Sequence, residues 1–132
     1  MLAFQEPTQR QVQPTDRRPT VLVVEDNAPL RSLYSRVLRL ADFDVDTAGS
    51  GSEARALLLA SERKYSCVVS DLWLPDETAL DIIPSTRRVD PDLPFLLLTA
   101  GPTVETAIGA IEQGVHRYLC KPITRDRLVA EI

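Results

Sequence analysis

The amino-acid sequence predicts an α/β fold built on a doubly wound, five-stranded parallel sheet with the strand order 2-1-3-4-5. Short apolar runs rich in β-branched residues alternate with longer segments of helical spacing, which favours strands separated by helices. The predicted strands begin roughly every 22 to 28 residues, close to the length of one strand–helix–strand unit. Right-handed connections, with helices on both faces of the sheet, give this strand order.

The first two strands and the helix between them are the clearest elements. Residues 20–26 (TVLVVED) form a nearly continuous apolar run, which is typical of a parallel strand covered on both faces. Residues 27–41 carry apolar side chains on one helical stripe, with Asn27 as the predicted N-cap and Pro29 in the first turn. Residues 43–48 alternate with period two and are more polar, which is typical of an edge strand.

The remaining elements continue the alternation. Helices are predicted at 52–63, 78–90, 104–114 and 124–132, and strands at 65–71, 93–100 and 115–120. Pro84 falls inside the third helix and removes a backbone hydrogen bond, so a kinked or shortened helix is expected. The fourth helix, which ends at Gly114, has one apolar face formed by Val104, Ala107, Ile108 and Ile111. The last helix is shorter than the mean of about 11 residues, so we expect it to be truncated and followed by an effector domain.

The composition is that of one ordinary globular domain, with 44% hydrophobic and 26% charged residues. We assign residues 20–132 to this domain and residues 1–19 to a flexible N-terminal tail that lacks the apolar region of a secretory signal. No apolar run is long enough for a membrane-spanning helix. The net charge of −4 argues against direct contact with nucleic acid.

The two cysteines indicate the compartment. Cys67 and Cys120 lie inside apolar, strand-like runs, and we interpret both as small buried core residues. A disulfide framework is therefore not expected, and the predicted location is the cytoplasm.

Charged and hydroxyl side chains mark the carboxyl ends of four predicted strands. They are Glu25 and Asp26 after the first strand, Asp71 at the end of the third, Thr99 at the end of the fourth and Lys121 after the fifth. Parallel strands end at the same edge of a sheet, so these groups are expected to converge there. Two carboxylates about 5 Å apart repel by roughly 3 kcal/mol at an effective dielectric constant near 20. The arrangement therefore points to function rather than to stability.

A hard divalent cation would offset this repulsion. Oxygen ligands favour Mg²⁺, for which Mn²⁺ can substitute. Calcium is less favoured because there is no twelve-residue EF-hand loop. Zinc is less favoured because His116 is the only histidine. Together with Lys121 and Thr99, the cation would form a site for a phosphoryl group, with Asp71 as the best-placed nucleophile.

Four motifs, in order, resemble those of the receiver domain of two-component response regulators, the CheY-like family with a flavodoxin-like fold. They are VLVVEDN at the first strand, VVSDLWLP at the third, LLLTAG at the fourth and YLCKP at the fifth. The resemblance covers residues 20–132. It implies that Asp71 accepts a phosphoryl group from a histidine kinase or a histidine phosphotransfer protein. It also implies an output domain, covalently linked or separate, under the control of this phosphorylation.

The resemblance also implies roles for the neighbouring residues. Asp26 would ligate Mg²⁺ directly, Glu25 would act through water, and the backbone carbonyl of Trp73 would complete the protein ligands. Lys121 would pair with the phosphoryl group, and its peptide bond to Pro122 would be cis.

A conformational switch is implied as well. Thr99 would move toward the phosphoryl group, and Tyr118 would swing inward in response. The face formed by residues 104–114 with the last strand and helix is where the family often dimerises, which implies a phosphorylation-dependent homodimer.

The sequence departs from the family pattern after the third strand. Ala79 stands where the family usually has glycine, and Glu77 precedes it, so the following turn is expected to be reshaped. Trp73 and Gly101 occupy positions that tune the lifetime of the phosphoryl group in this family.

Two alternatives stay open beside the receiver, which is itself no enzyme beyond self-catalysed phosphorylation and dephosphorylation. The first is a phosphatase or phosphotransferase with an aspartyl nucleophile. Such enzymes usually carry a second aspartate two residues after the nucleophile, where this chain has Trp73. The second is a pseudo-receiver that keeps the fold without being phosphorylated.

Overall fold

A computed structural model of the chain describes residues 18–60 and 65–132. The five strands are β1 (Thr20–Val24), β2 (Asp44–Ala48), β3 (Cys67–Asp71), β4 (Phe95–Thr99) and β5 (Arg117–Cys120). The helices are α1 (Ala28–Leu40), α2 (Gly51–Leu58), α3 (Ala79–Val89), α4 (Val104–Glu112) and α5 (Arg125–Glu131). All pairings are parallel and the order is β2-β1-β3-β4-β5, which confirms the predicted fold. Most of the predicted tail, residues 1–17, lies outside the described residues.

Helices cover both faces of the sheet because its central strands are apolar on both sides. In β1, Val21 and Val23 pack in one cluster with side chains of α1 and α5. Leu22 and Val24 pack on the opposite face with side chains of α2 and α3. A smaller cluster around Leu97 joins α4 to the second face. Because all five strands are parallel, their carboxyl ends share one edge of the sheet.

Polar side chains fix where the helices begin. Asn27 accepts a hydrogen bond from the Leu30 amide at 2.9 Å, which confirms its predicted role as the N-cap of α1. Ser50 and Thr124 cap α2 and α5 in the same way. Within residues 18–60 and 65–132, every helix is too short or too polar to cross a membrane.

The third helix tolerates its internal proline. α3 runs from Ala79 to Val89 without interruption, although Pro84 lies inside it, so the expected shortening is not observed. Thr78 donates a hydrogen bond to the Asp81 carboxylate at 3.1 Å and supports the start of the helix. Pro84 itself is exposed, so its ring displaces no core side chain. In contrast, α2 ends at Leu58, five residues before its predicted end; residues 61–64 lie outside the described part of the chain.

The two edge strands differ from the central ones. β2 alternates between exposed and buried residues, as predicted for an edge. β5 is the other edge, and there the prediction that Cys120 is buried is wrong. Leu119 points into the core, so period two turns Cys120 toward solvent. The predicted burial of Cys67, on β3, is confirmed.

This difference predicts selective alkylation of the two cysteines. Burial raises the pKa of the Cys67 thiol to about 12, and only the thiolate reacts as a nucleophile. Native protein treated with iodoacetamide near pH 7.5 should therefore gain one label, on Cys120, as read by peptide mass spectrometry. A second label, on Cys67, is expected only after unfolding in urea. Rapid labelling of Cys67 in the native protein would contradict its buried position.

The apolar face of α4 lies outside the core. Ala110 is the buried residue of this helix, whereas Val104 and Ile111 are 75% and 77% exposed. Ile108, on the same stripe, is half exposed. The stripe therefore remains as an apolar surface.

Candidate functional site

The predicted acidic groups meet at the carboxyl edge of the sheet. β1 and β3 are hydrogen-bonded neighbours, so Glu25 and Asp26, which follow β1, lie beside Asp71 at the end of β3. One carboxylate oxygen from each of the three lies within 4.8 Å of the others. Asp26 is exposed, Asp71 is partly buried and Glu25 is only 2% exposed. The convergence expected from the strand order is therefore present.

Lys121, which follows the edge strand β5, reaches this acidic site from two strands away from β3. Its Nζ donates to Glu25 Oε1 at 2.8 Å and lies 3.5 Å from Asp71 Oδ2. The Asn27 amide donates to the second Glu25 oxygen at 3.2 Å. Glu25 is therefore paired on both oxygens, whereas Asp71 has a longer contact with the ammonium. The peptide bond between Lys121 and Pro122 is cis, as predicted.

Burial and pairing act against each other at this ion pair. Burial raises the pKa of the Glu25 carboxyl, and the hydrogen bond from Lys121 opposes that shift only in part. Burial on its own lowers the pKa of the Lys121 ammonium. The hydrogen bond to Glu25 and the negative charge of Asp71 outweigh it, so the pKa of Lys121 is raised. The lysine is therefore held in its charged form at neutral pH.

Thr99 and Tyr118 occupy neighbouring strands and have separate partners. Thr99 is fully buried at the end of β4, and its Oγ1 accepts a hydrogen bond from the Gly101 amide at 3.1 Å. Tyr118, on β5, is half buried, and its hydroxyl lies 2.5 Å from Thr106 Oγ1 in the first turn of α4. The two predicted switch residues thus each contact the segment that leads into α4 or its first turn.

Trp73 lies two residues beyond Asp71 and forms an isolated antiparallel bridge with Thr78. Its side chain is 51% exposed. The segment between these two residues therefore folds back on itself beside the acidic site.

Two residues near the site were not singled out from the sequence. Arg31 on α1 donates from its guanidinium to the Glu25 backbone carbonyl at 2.8 Å. Tyr34, one turn further along α1, is buried, and its pKa is raised mainly by burial; the positive charge of Lys121 opposes this shift, and the negative charges of Glu25 and Asp71 add to it. Both lie on the stripe of α1 that faces β1. A helical wheel anchored at Asn27 could have indicated them.

The donor set fits a hard cation. Glu25, Asp26 and Asp71 offer only carboxylate oxygens, the ligands that Mg²⁺ prefers. Oxygens that share an octahedral Mg²⁺ at about 2.1 Å lie roughly 3 to 4 Å apart. The three oxygens are thus already gathered nearly closely enough to share one ion, and Lys121 supplies a fixed positive charge beside them.

Comparisons with known proteins agree on one family. The family model described as the response regulator receiver domain matches residues 21–132. The probable transcriptional regulatory protein TcrX of Mycobacterium tuberculosis is 38% identical over 113 residues, which cover 86% of this chain and 47% of TcrX. The chain therefore spans about half the length of that relative.

Solved structures show the same fold. A response regulator from Burkholderia pseudomallei, with a phosphorylated aspartic acid, a calcium ion and citrate, superposes with a TM-score of 0.78 at 27% identity. The match covers 86% of this chain and 65% of that one. The beryllofluoride-activated NtrC4 receiver domain dimer gives a TM-score of 0.76 at 30% identity, covering 84% and 90% of the two chains. On these matches, the chain belongs to the response regulator receiver domain family.

Proposed function

We propose that Asp71 is the phosphoacceptor of a two-component signalling pathway. The observation that carries this proposal is the meeting of Glu25, Asp26, Asp71 and Lys121 at one edge of the sheet. Glu25 is engaged by Lys121 and a backbone amide, whereas Asp71 is partly exposed at a strand end. Asp71 is therefore the carboxylate best placed to attack an incoming group. The phosphorylated aspartic acid in the Burkholderia pseudomallei regulator supports the same chemistry.

The phosphoryl donor would be a phosphohistidine on a histidine kinase or a histidine phosphotransfer protein. An Asp71 carboxylate oxygen attacks phosphorus as the phosphorus–nitrogen bond breaks, and the bond electrons return to the imidazole nitrogen, which takes up a proton. The product is an acyl phosphate on Asp71. Lys121 would exchange part of its contact with Glu25 for the new phosphoryl oxygens, because its Nζ already lies 3.5 Å from Asp71.

The fit of the acidic site to a hard cation supports one set of ligands for the ion. Glu25, Asp26 and Asp71, with the backbone carbonyl of Trp73, would hold Mg²⁺, and Mn²⁺ would substitute. When bound, the ion neutralises charge on the phosphoryl oxygens. Asp26 is exposed and can bind it directly, whereas the buried Glu25 would act through water.

The switch would run from Thr99 to Tyr118. The Thr99 hydroxyl now accepts a hydrogen bond from the Gly101 amide, and a phosphoryl group on Asp71 would offer a charged acceptor to which the same hydroxyl can donate. The movement of Thr99 would pull the segment that leads into α4. Thr106, in the first turn of α4, is the residue that holds the Tyr118 hydroxyl. Tyr118 would then leave Thr106 and turn inward.

The surface altered by this switch would contact an output domain or a second copy. Val104 and Ile111 expose apolar side chains on α4, beside β5. The activated NtrC4 receiver domain is a dimer, and TcrX is a probable transcriptional regulatory protein. These two findings support control of transcription through an interface that depends on phosphorylation.

Metal-dependent phosphorylation tests the proposal. The purified protein is incubated with acetyl phosphate in Mg²⁺, in Mn²⁺ or in EDTA, and its intact mass is measured. One added phosphoryl group is expected with either metal and none in EDTA. No gain in any condition would indicate a pseudo-receiver, and rapid turnover of unrelated phosphate esters would indicate a phosphatase.

A further inference from the structure

The loop between β3 and α3, residues 72–78, is tied to α2 by two carboxylates. The first is Asp76, whose two oxygens accept hydrogen bonds from the amides of Gly51 at 2.8 Å and Ser52 at 2.9 Å. These amides are in the first turn of α2 and have no partner within the helix. Asp76 therefore caps a helix 24 residues earlier in the chain.

The second carboxylate is Glu77, which forms a two-point pair with Arg55. Nε of Arg55 donates to Oε2 at 2.9 Å and Nη2 donates to Oε1 at 2.5 Å. The same guanidinium donates to the backbone carbonyl of Asp81 at 3.0 Å and to Ser85 Oγ at 3.2 Å. Arg55 thus links α2 to the loop and to α3, and we call the Asp76 and Glu77 contacts the carboxylate clasp.

Gly51 leaves the space that the clasp needs. A Cβ at this position would lie 2.3 Å from Glu77 Oε2 and 2.5 Å from Glu77 Cγ. Any side chain there would push Glu77 away from Arg55. The close approach of loop and helix is therefore encoded on both sides of the contact.

The charges of the clasp are favourably placed. Backbone hydrogen bonds from Gly51 and Ser52 lower the pKa of the Asp76 carboxyl. The hydrogen bond with Glu77 raises the pKa of Arg55. Asp76 and Arg55 therefore stay charged across the neutral range.

The clasp residues Asp76 and Glu77 lie at the tip of a closed turn that begins at Trp73 and ends at Thr78. Trp73 pairs with Thr78 in an antiparallel bridge, and the Leu74 amide donates to the Glu77 carbonyl at 3.0 Å. The Ala79 amide donates to the Leu72 carbonyl at 2.9 Å and closes the base of the turn. A turn bonded in this way moves largely as a unit, so a restraint on its tip also orients the backbone at Trp73.

We propose that Arg55, Asp76 and Glu77 are positioning residues for metal binding, which restrain the backbone at Trp73, the proposed carbonyl ligand, through the carboxylate clasp. The inference rests on the proposed function, because it takes Trp73 as a metal ligand. None of the three residues is among the proposed metal ligands. Their effect is to keep one ligand in place before the ion arrives.

Mn²⁺ affinity tests this role in the full chain. Mn²⁺ is titrated into wild type and Glu77→Gln, and the free ion is counted from its electron paramagnetic resonance signal, with Mg²⁺ as competitor. We expect Glu77→Gln to raise the dissociation constant about tenfold, the low end of the loss seen when groups that orient a metal ligand are removed. Arg55→Met should do the same, and the double variant should lose little more than either single variant.

Glu131→Gln is the matched control. Like Glu77, Glu131 accepts two hydrogen bonds from arginine, but they come from two residues, Arg117 on β5 at 2.7 Å and Arg127 on α5 at 2.8 Å. The Glu131→Gln variant should leave Mn²⁺ affinity unchanged, while its stability in urea should change to about the same extent as that of Glu77→Gln. If Glu77→Gln does not fold, as judged by circular dichroism, Arg55→Lys keeps the charge, loses the two-point geometry and takes its place.

The outcomes separate the two proposals. Wild-type protein that binds no Mn²⁺ would remove the metal from the proposed function and the clasp inference with it. If wild type binds Mn²⁺ and Glu77→Gln binds it with the same affinity, the clasp inference alone is overturned. An equal loss in Glu131→Gln would also overturn it, because the effect would then be one of general stability.

Discussion

Replacing Asp71 by asparagine is expected to abolish phosphorylation by acetyl phosphate in Mg²⁺. The amide is nearly the same size as the carboxylate, so the strand end keeps its shape, but it is a poor nucleophile and carries no charge for the metal. Intact-mass measurement should show one added phosphoryl group on wild type and none on the variant. Circular dichroism should show that both are folded.

The matched control is Asp44→Asn. Asp44 is an exposed aspartate at the start of β2, at the opposite edge of the sheet from the acidic site. This variant should be phosphorylated like wild type. Phosphorylation that persists in Asp71→Asn and disappears in Asp26→Asn would move the acceptor to Asp26 and contradict the assignment.

Truncating Phe95 to alanine is expected to destabilise the domain by about 3 to 5 kcal/mol. Phe95 is the largest fully buried side chain within the described residues, at 1% exposure, and it begins the central strand β4 opposite Val68. Its ring also lies under the Arg87 guanidinium, 5.4 Å from ring centroid to Cζ. Urea unfolding in EDTA, followed by circular dichroism, measures the loss without any contribution from metal binding.

Leu40→Ala provides the comparison. Leu40 is 74% exposed at the end of α1, so its truncation should change the free energy of unfolding by no more than about 0.5 kcal/mol. Similar losses in the two variants would mean that Phe95 does not pack in the core as described. Phe95→Leu should fall between them, because it restores part of the buried volume.

The fold and the acidic site could be predicted from the sequence for one physical reason. Parallel strands buried on both faces read as apolar runs, and their carboxyl ends must share an edge. Residues as distant as Glu25 and Lys121 are then brought together by topology alone, and the structure places them 2.8 Å apart. The strand order was enough to predict that these groups converge, but it did not predict that Glu25 and Lys121 would pair directly.

Positions at the margins of the sheet were harder to predict. An apolar run indicates a strand, but it does not indicate which alternate residues face the core. On β5 the residue that faces the core is Leu119, and Cys120 is exposed. The stripe on α4 has helical spacing, yet the core takes Ala110 from this helix and leaves Val104 in solvent. The periodicity of a sequence indicates that one face of a helix is apolar. It does not indicate which neighbouring elements cover that face.

The contact between Arg55 and Glu77 shows a second limit. The sequence marked Glu77 only as a departure from the family pattern. Its partner lies 22 residues earlier, on a helix where an arginine reads as an ordinary solvated residue. Glycine at position 51 gave no separate signal, because its role is the space it leaves. Such long-range polar pairs become visible only when the backbone is in place.

The polar edge strand β2 also bears on how the protein behaves when concentrated. An unprotected sheet margin can recruit strands from other molecules and seed fibrils. Here any molecule that added to β2 would have to place its backbone against Asp44, which is exposed, and Asp46, whose carboxylate is held by the Tyr65 hydroxyl at 2.7 Å. Acidic side chains on the open margin thus discourage the addition of strands from other molecules.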